Sequence, residues 1–367
     1  MKNKQILDLY SDYLLASFKL TTATGLSELI GRILSHDQIS RFLGQGLFTS
    51  RDYWRMIKPL IRKVEHPMAI VKIDDTILEK PHSTENTIIC YHWDHSNNRH
   101  VKGINILNFL YEAPLANGES ISIPACYEII AKTEKFTDPK SGKEKKRSPV
   151  KKNELVRRRL KVLHQCNKVQ FQYVTWDTWF SSTENFDFVH YTLKKYFISA
   201  IKSNRLVALS EQDQLAGKFI RVYELPIQKD QAITVRIKGM DFSVLLVKQV
   251  FANKDGSTGE LYVVTNDLLL DAQLIATAYD SRWGVEVFHK SLKQNVGLGK
   301  SPTKNEITQS NHIFAAMIGW TKLEMLSLMT QTNHFALKNQ IYVKALNSAW
   351  QQVQELKTQH LKLLPAA

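Results

Sequence analysis

The sequence predicts a mixed α/β fold: a sheet core interrupted by an antiparallel β block, with helical regions at both ends. Three observations predict it. Apolar β-branched runs alternate with helical stretches between about 66 and 202. Four apolar/polar alternating runs crowd the segment 203–267. Apolar residues recur at helical spacing before 65 and after 271.

Taken in order, residues 1–65 read as an N-terminal helical region. Leu26, Leu29, Ile30 and Ile33 fall at helical spacing, as do Ile39, Phe42 and Leu43. Asp37 is the expected cap of a helix through QISRFLGQG, and Ser50 of one through RDYWRMIKPLIRKV. The basic residues Arg41, Arg51, Arg55, Lys58, Arg62 and Lys63 suit a DNA-binding module, or equally the solvated face of a plain bundle. From 66 to 202, MAIVKIDDT, HVKGINILNFLYEA, SISIPACYEII, VQFQYVTWD and YFISAI are strand candidates. A Pro/Gly/Lys-rich loop is expected over 133–150, and a basic helix from Pro149 through ELVRRRLKVLHQ. In the β block at 203–267, KFIRVYEL, AITVRIKG, FSVLLVKQVFA and GELYVVTND are separated by Gly239 and Asp255-Gly256 at turns. Residues 268–335 return to helix, beginning with QLIATAYDSRWGVEVFHKSLKQNV, and 336–367 form C-terminal helices.

The 367 residues are 43% hydrophobic and 23% charged, which excludes a disordered chain. No apolar run approaches the roughly 18 residues of a membrane helix, so no membrane partner is expected. The start MKNKQILDLYSDYLL carries acids inside its apolar stretch, unlike a secretory signal. Cys90, Cys126 and Cys166 are scattered and odd in number, which argues against a disulfide scaffold or a structural zinc cluster and for a reducing, cytoplasmic setting.

Charge is the first functional clue. Forty-nine basic residues against 35 acidic ones leave +14, an excess that a polyanionic partner would explain. It is concentrated: Lys132–Lys161 holds thirteen basic and four acidic residues, so +9 sits in one segment that includes Lys140. Such a field attracts phosphates through counterion release.

Two acidic positions share a context. Asp74-Asp75 ends the strand AIVKI and Asp177 ends QFQYVTW, where carboxylates stand on a rigid sheet edge at which ligands enter. Acids on adjacent strands chelate hard cations such as Mg²⁺, while a single aspartate there equally caps a following turn. In the following helix, Tyr279, Arg282, Glu286, Lys290 and Lys293 are spaced three, four, four and three apart and fall on one stripe. That stripe combines a carboxylate with groups able to hold phosphates, or is an exposed face stitched by Arg282–Glu286 and Glu286–Lys290 pairs. HWDH at His92–His95 is read as a polar turn, and GLGK at Gly297–Lys300 as a helix cap.

Tyr279, Arg282, Glu286 and Lys293, written Y-x2-R-x3-E-x6-K, resemble the YREK signature of DDE transposases of bacterial cut-and-paste insertion sequences. The likeness extends to IDDT with Lys80 downstream, WDTWFSS around Asp177 and VTND before the signature helix, in order over about 66–300. It implies a ribonuclease-H-like core split by a β insertion before the glutamate. It also implies three carboxylates holding two Mg²⁺ ions, with Mn²⁺ able to substitute. Asp177 matches the second acid and Glu286 the third. Asp75, directly before Thr76, is preferred as the first, with Asp74 the close alternative; they point to opposite faces of a strand. The resemblance further implies cleavage at element ends, often through a DNA hairpin, then strand transfer. Tyr279, Arg282, Lys290 and Lys293 would hold phosphates, and an aromatic such as Trp179 or Trp283 would stack on a flipped base. Partners would be terminal inverted repeats and target DNA, with a homodimer in the synaptic complex and a bacterial, nucleoid-associated location. A ribonuclease-H-like nuclease that cuts without joining and a catalytically silent domesticated DNA-binding protein are the alternatives.

Overall fold

The computed structural model describes residues 3–94, 97–139, 142–253 and 255–363. Four helices come first: α1 (Asn3–Ala16), α2 (Ala23–Leu29), α3 (His36–Gly44) and α4 (Ser50–Val64). Strands β1 (Ile70–Glu79), β2 (Cys90–Asp94), β3 (Arg99–Pro114) and β4 (Ser120–Ile129) follow, then the short pair β5 (Glu134–Thr137) and β6 (Glu144–Arg147). Helix α5 (Lys152–Lys161), β7 (Tyr173–Trp176), α6 (Thr183–Asp187) and β8 (Tyr196–Ile201) come next. They lead to β9 (Leu206–Ala208), α7 (Glu211–Leu215), β10 (Ile220–Arg221), β11 (Ala232–Ile237), β12 (Val244–Ala252) and β13 (Thr258–Thr265). The remaining helices are α8 (Ala272–Asp280), α9 (Trp283–Gln294), α10 (Glu306–Thr330) and α11 (His334–Leu363). The chain divides into two compact units, Thr49–His289, and Met1–Phe48 with Lys290–Ala367.

The α/β unit is built on one mixed sheet. Strands β4, β3 and β1 are antiparallel neighbours; β1 then pairs β7 in parallel, and β7 pairs β8 in parallel. Parallel pairing needs a crossover, and the basic α5 supplies the one between the antiparallel strands and β7. The run Ile104–Ala113 in β3 is almost wholly buried, as a strand covered on both faces requires. The β block at 203–267 does not stand apart: β13 pairs β8 antiparallel, so β12, β11, β9 and β10 extend the same sheet. KFIRVYEL, expected as a strand, contributes only the two residues of β10 before a 3-10 turn.

Helix α4 lies on this unit, its buried Tyr53 donating to Pro124 O at 2.7 Å, so the helical region expected over 1–65 is shared between the two units. Asp37 and Ser50 do not cap their helices. Ser35 and Thr49 do, because each closes a reciprocal capping box, with Gln38 and Asp52. Residues 133–150, expected as a loop, contain the hairpin β5–β6, which forms its own two-stranded sheet. His92–Asp94, expected in a turn, lie in β2; His95 and Lys140 fall outside the described residues.

The helical unit packs α1 and α3 against α10. Its polar core is paired: Tyr10 Oη meets His312 Nδ1 at 2.9 Å, and Asn311 donates to Leu43 O and Gly46 O while accepting from Phe48 N. By length and composition α10 is apolar enough to cross a membrane, but half of that span is buried inside the protein. The buried Gln309, Asn311 and His312 interrupt it. Gly297, at φ +66°, turns the chain after α9, as the cap reading of GLGK requires.

Candidate active site at the β1–β7 edge

The site is assembled by register. In the parallel pair, Ile70 through Ile73 of β1 lie opposite Tyr173 through Trp176 of β7, so the next residue on each strand is an aspartate, Asp74 beside Asp177. Strand alternation puts Lys72 and Asp74 on one face of β1 and Asp75 on the other.

The two faces have different company. On the Asp74 face, Arg282 Nη1 lies 3.8 Å from Asp74 Oδ2, and Arg282 Nη2 donates to Glu286 Oε1 at 2.9 Å. One guanidinium therefore links the strand acid to the helix acid. On the opposite face, Asp75 accepts from Lys152 Nζ at 2.8 Å and from Asn105. Lys152 also sits 5.9 Å over the ring of Trp179. The buried His92 adjoins this side, its pKa pushed down to about 4 by burial and by Lys132 and Lys152. The structure thus brings Asp74, Asp177, Arg282, Glu286 and Tyr279 together on one face, and places Asp75 in an ion pair on the other.

Electrostatics mark the first group. Burial, then the charges of Asp177 and Asp75, push the Asp74 carboxyl up to about 7. Burial also raises Asp177, against the opposing pull of the Trp179 N–H and Arg282. Burial raises the Tyr279 phenol, which has the Arg282 guanidinium 5.7 Å from its ring centre. Two carboxylates confined side by side repel unless a cation or a proton intervenes.

Tyr279, Arg282 and Glu286 do not share one continuous helix. Helix α8 ends at Asp280, and α9 begins at Trp283. The break has a cause that shows in sequence only as an oddity, a lysine inside the apolar strand AIVKI. Lys72 is 1% exposed, pairs with Glu112 at 2.7 Å and donates to Ser281 O, while Ser281 Oγ bonds Ala278 O. Ser281 O accepts both from Lys72 and, in a tight i→i+3 turn, from Gly284 N at 3.0 Å, so the lysine anchors the turn between the two helices. A Cβ at Gly284 would crowd Lys72 Nζ at 3.1 Å. Helix α9 is pinned a second time by His289 Nε2, 3.0 Å from Asn108 Nδ2. Asn108 is the β3 residue opposite Asp74, and its buried Oδ1 has no partner among the described residues. Lys290 and Lys293 belong to the helical unit, where Lys290 Nζ lies 5.3 Å over the Phe335 ring.

Among the described residues, no three His, Cys, Asp or Glu side chains form a ready-made metal cluster. The oxygens present nevertheless suit a hard cation: a repelling aspartate pair, a glutamate balanced by an arginine, and the unpartnered Asn108 Oδ1 beside them.

Antiparallel β4–β3–β1 followed by parallel β7 and β8 defines a ribonuclease-H-like α/β core. Asp177 stands just past the end of β7. Asp74-Asp75, expected at the end of their strand, stand midway along β1, which runs on to Glu79 because it keeps pairing with β3. Residues 145–321 match the family model described as a transposase DDE domain. The match is consistent with a DDE transposase and supports the function of an enzyme that acts on DNA. A comparison with curated proteins finds no match.

Proposed function

We propose that this protein is a transposase that cleaves DNA at the ends of an insertion sequence and joins the freed ends to target DNA, with Asp74, Asp177 and Glu286 as its acidic triad. The observation that carries the assignment is the shared face: Asp74 and Asp177 are in register on parallel neighbours, and Arg282 spans from Asp74 to Glu286. Asp75, already neutralised by Lys152, is a positioning residue, its backbone N–H donating to Asp74 Oδ1 at 2.8 Å.

The triad would hold Mg²⁺, or Mn²⁺ in its place; once bound, two such ions supply Lewis-acid polarisation of the phosphoryl oxygen and an ionised oxygen nucleophile at neutral pH. The chain's own groups do the rest. Arg282 offers guanidinium donors that balance the carboxylates when DNA is absent and pair with phosphate oxygens when it is present. Tyr279, held against Arg282, presents a phenol donor to a phosphate near the cut. Lys290 and Lys293, carried further along α9, are proposed phosphate contacts, completing the YREK signature. In the first step water displaces the 3′ oxygen of the phosphodiester, leaving a 3′ hydroxyl and a 5′ phosphate. In the second, that hydroxyl displaces a 3′ oxygen in the target strand, so one phosphodiester is formed as another is broken. Terminal inverted repeats are the proposed recognition sequence and a homodimer the proposed synaptic assembly.

The test uses the full chain, Mg²⁺ and oligonucleotides carrying the element's ends, with nicking and strand transfer read separately. Asp74→Asn, Asp177→Asn and Glu286→Gln should each lose at least roughly 10²-fold in both steps, about the worth of one strong electrostatic contact. Full activity in Asp74→Asn with loss in Asp75→Asn would reverse the assignment of the first acid. Nicking without joining by the wild-type protein would reduce the protein to a nuclease.

A further inference from the structure

The hairpin β5–β6 is the part of the basic segment that the site does not use. It pairs with no other strand among the described residues, and an isolated two-stranded ribbon is only marginally stable in water. Its two faces differ in charge satisfaction. Cross-strand register sets Glu134 opposite Arg147 and Phe136 opposite Lys145. There Arg147 binds Glu134 at 3.0 Å and lies 5.5 Å over the Phe136 ring, and Lys145 binds Asp138. That face is internally balanced.

The other face is not. Lys135 stands directly opposite Lys146, and Thr137 opposite Glu144. Like charges facing each other across a strand pair destabilise it. Lys135 reaches diagonally to Glu144 at 3.0 Å, with both side chains about two-thirds exposed, where an ion pair is worth little. Lys146 and the neighbouring Lys143 make no ion pair among the described residues. A ribbon that opposes two lysines gains stability when an anion lies between them. A B-DNA major groove is wide enough to admit a two-stranded ribbon, and its walls are phosphate backbones.

We propose that the Lys135/Lys146 face of the β5–β6 ribbon is a contact for the phosphate backbone of duplex DNA. The contact is independent of base sequence, because lysines set phosphate register without reading bases. It rests on the DNA-acting function proposed above, and adds to it a specific surface and a specific ligand chemistry.

The experiment measures binding of the full chain to a duplex of arbitrary sequence, without divalent cation, across a range of salt concentrations. Removing two lysines that each neutralise a phosphate should lower the slope of log affinity against log salt by about 2. Lys135→Gln/Lys146→Gln should show that drop with an unchanged thermal midpoint, since it also removes the cross-strand repulsion. Lys135→Arg/Lys146→Arg should restore the wild-type slope, while Lys145→Gln, on the balanced face, should leave it alone. Wild-type slope in the double Gln variant overturns the ribbon contact. So does an equal drop in Lys145→Gln, which would reduce the effect to net charge. Failure of the wild-type chain to bind duplex at all would instead strike the DNA-acting function.

Discussion

At the scale of single residues, Asp74 is where stability and chemistry conflict. Its carboxyl titrates near 7 in the folded chain against 3.8 for the free group, so folding takes up a proton between those values. The native state therefore loses stability as pH climbs through that window, and the penalty is complete above about pH 7. Asp74→Asn should raise stability at about pH 8 by roughly 1–3 kcal/mol and flatten the pH dependence between about 4 and 7, as measured by urea unfolding. Millimolar Mg²⁺ should raise the thermal midpoint of the wild-type protein and not of Asp74→Asn, because only a native state with the full carboxylate set gains from binding. Lys72 makes the converse point. It is buried with Glu112 as its counter-ion, so Glu112→Gln should cost roughly 3–5 kcal/mol by leaving an uncompensated charge. Lys72→Met/Glu112→Leu should recover most of that stability, yet remain impaired in cleavage because the turn at Ser281 loses its lysine anchor and keeps only the Gly284 N–H. Guanidinium unfolding beside a nicking assay separates the two effects.

At the scale of elements, the strands were more legible than the way they end. AIVKI, VQFQYVTW and YFISAI announce themselves by β-branched residues, and they form β1, β7 and β8. Asp177, just past the end of β7, was legible for the same reason, whereas Asp74-Asp75 stand midway along β1, which runs on to Glu79. What the pattern could not show was which of Asp74 and Asp75 shares a face with Asp177, since that depends on β1–β7 register, a long-range property. The break between α8 and α9 was equally hidden. Its sequence keeps helical periodicity across Ser281, and the interruption comes from Lys72, 209 residues away. Asp37 and Ser50 lose the capping positions to Ser35 and Thr49 because only the latter complete reciprocal pairs, with Gln38 and Asp52. In the helical unit, Asn311 ties α10 to the end of α3 by serving Leu43 O, Gly46 O and Phe48 N at once. Asn311→Ala should therefore cost roughly 2–4 kcal/mol, more than a single hydrogen bond, in urea denaturation.

At the scale of the whole molecule, charge dominates. The excess of +14 and its concentration around 132–161 predict salt-sensitive binding to any duplex. Raising salt from about 50 to about 200 mM should weaken it by about 10³-fold if some six phosphates are engaged, a titration that fluorescence anisotropy can follow. Part of the local excess is already neutralised: Arg158 binds Glu154, Arg159 binds Glu128 and Lys152 binds Asp75. Counting basic residues thus overstates the free cations, and sequence cannot reveal it where, as for Glu128 and Asp75, the partner lies in another element. The sheet itself runs through what reads in sequence as a separate β block, because β13 finds an open edge at β8.

The doubled aspartate midway along β1 gives this strand a tolerance for slippage. Removing one residue from 70–73 would reverse the facing of everything downstream in the strand. Here the reversal would deliver Asp75 to the spot that Asp74 vacates, opposite an unmoved Asp177. A carboxylate would still be presented there, with Lys152 drawn away from its own. Few single-residue deletions in a central strand leave the right functional group in place.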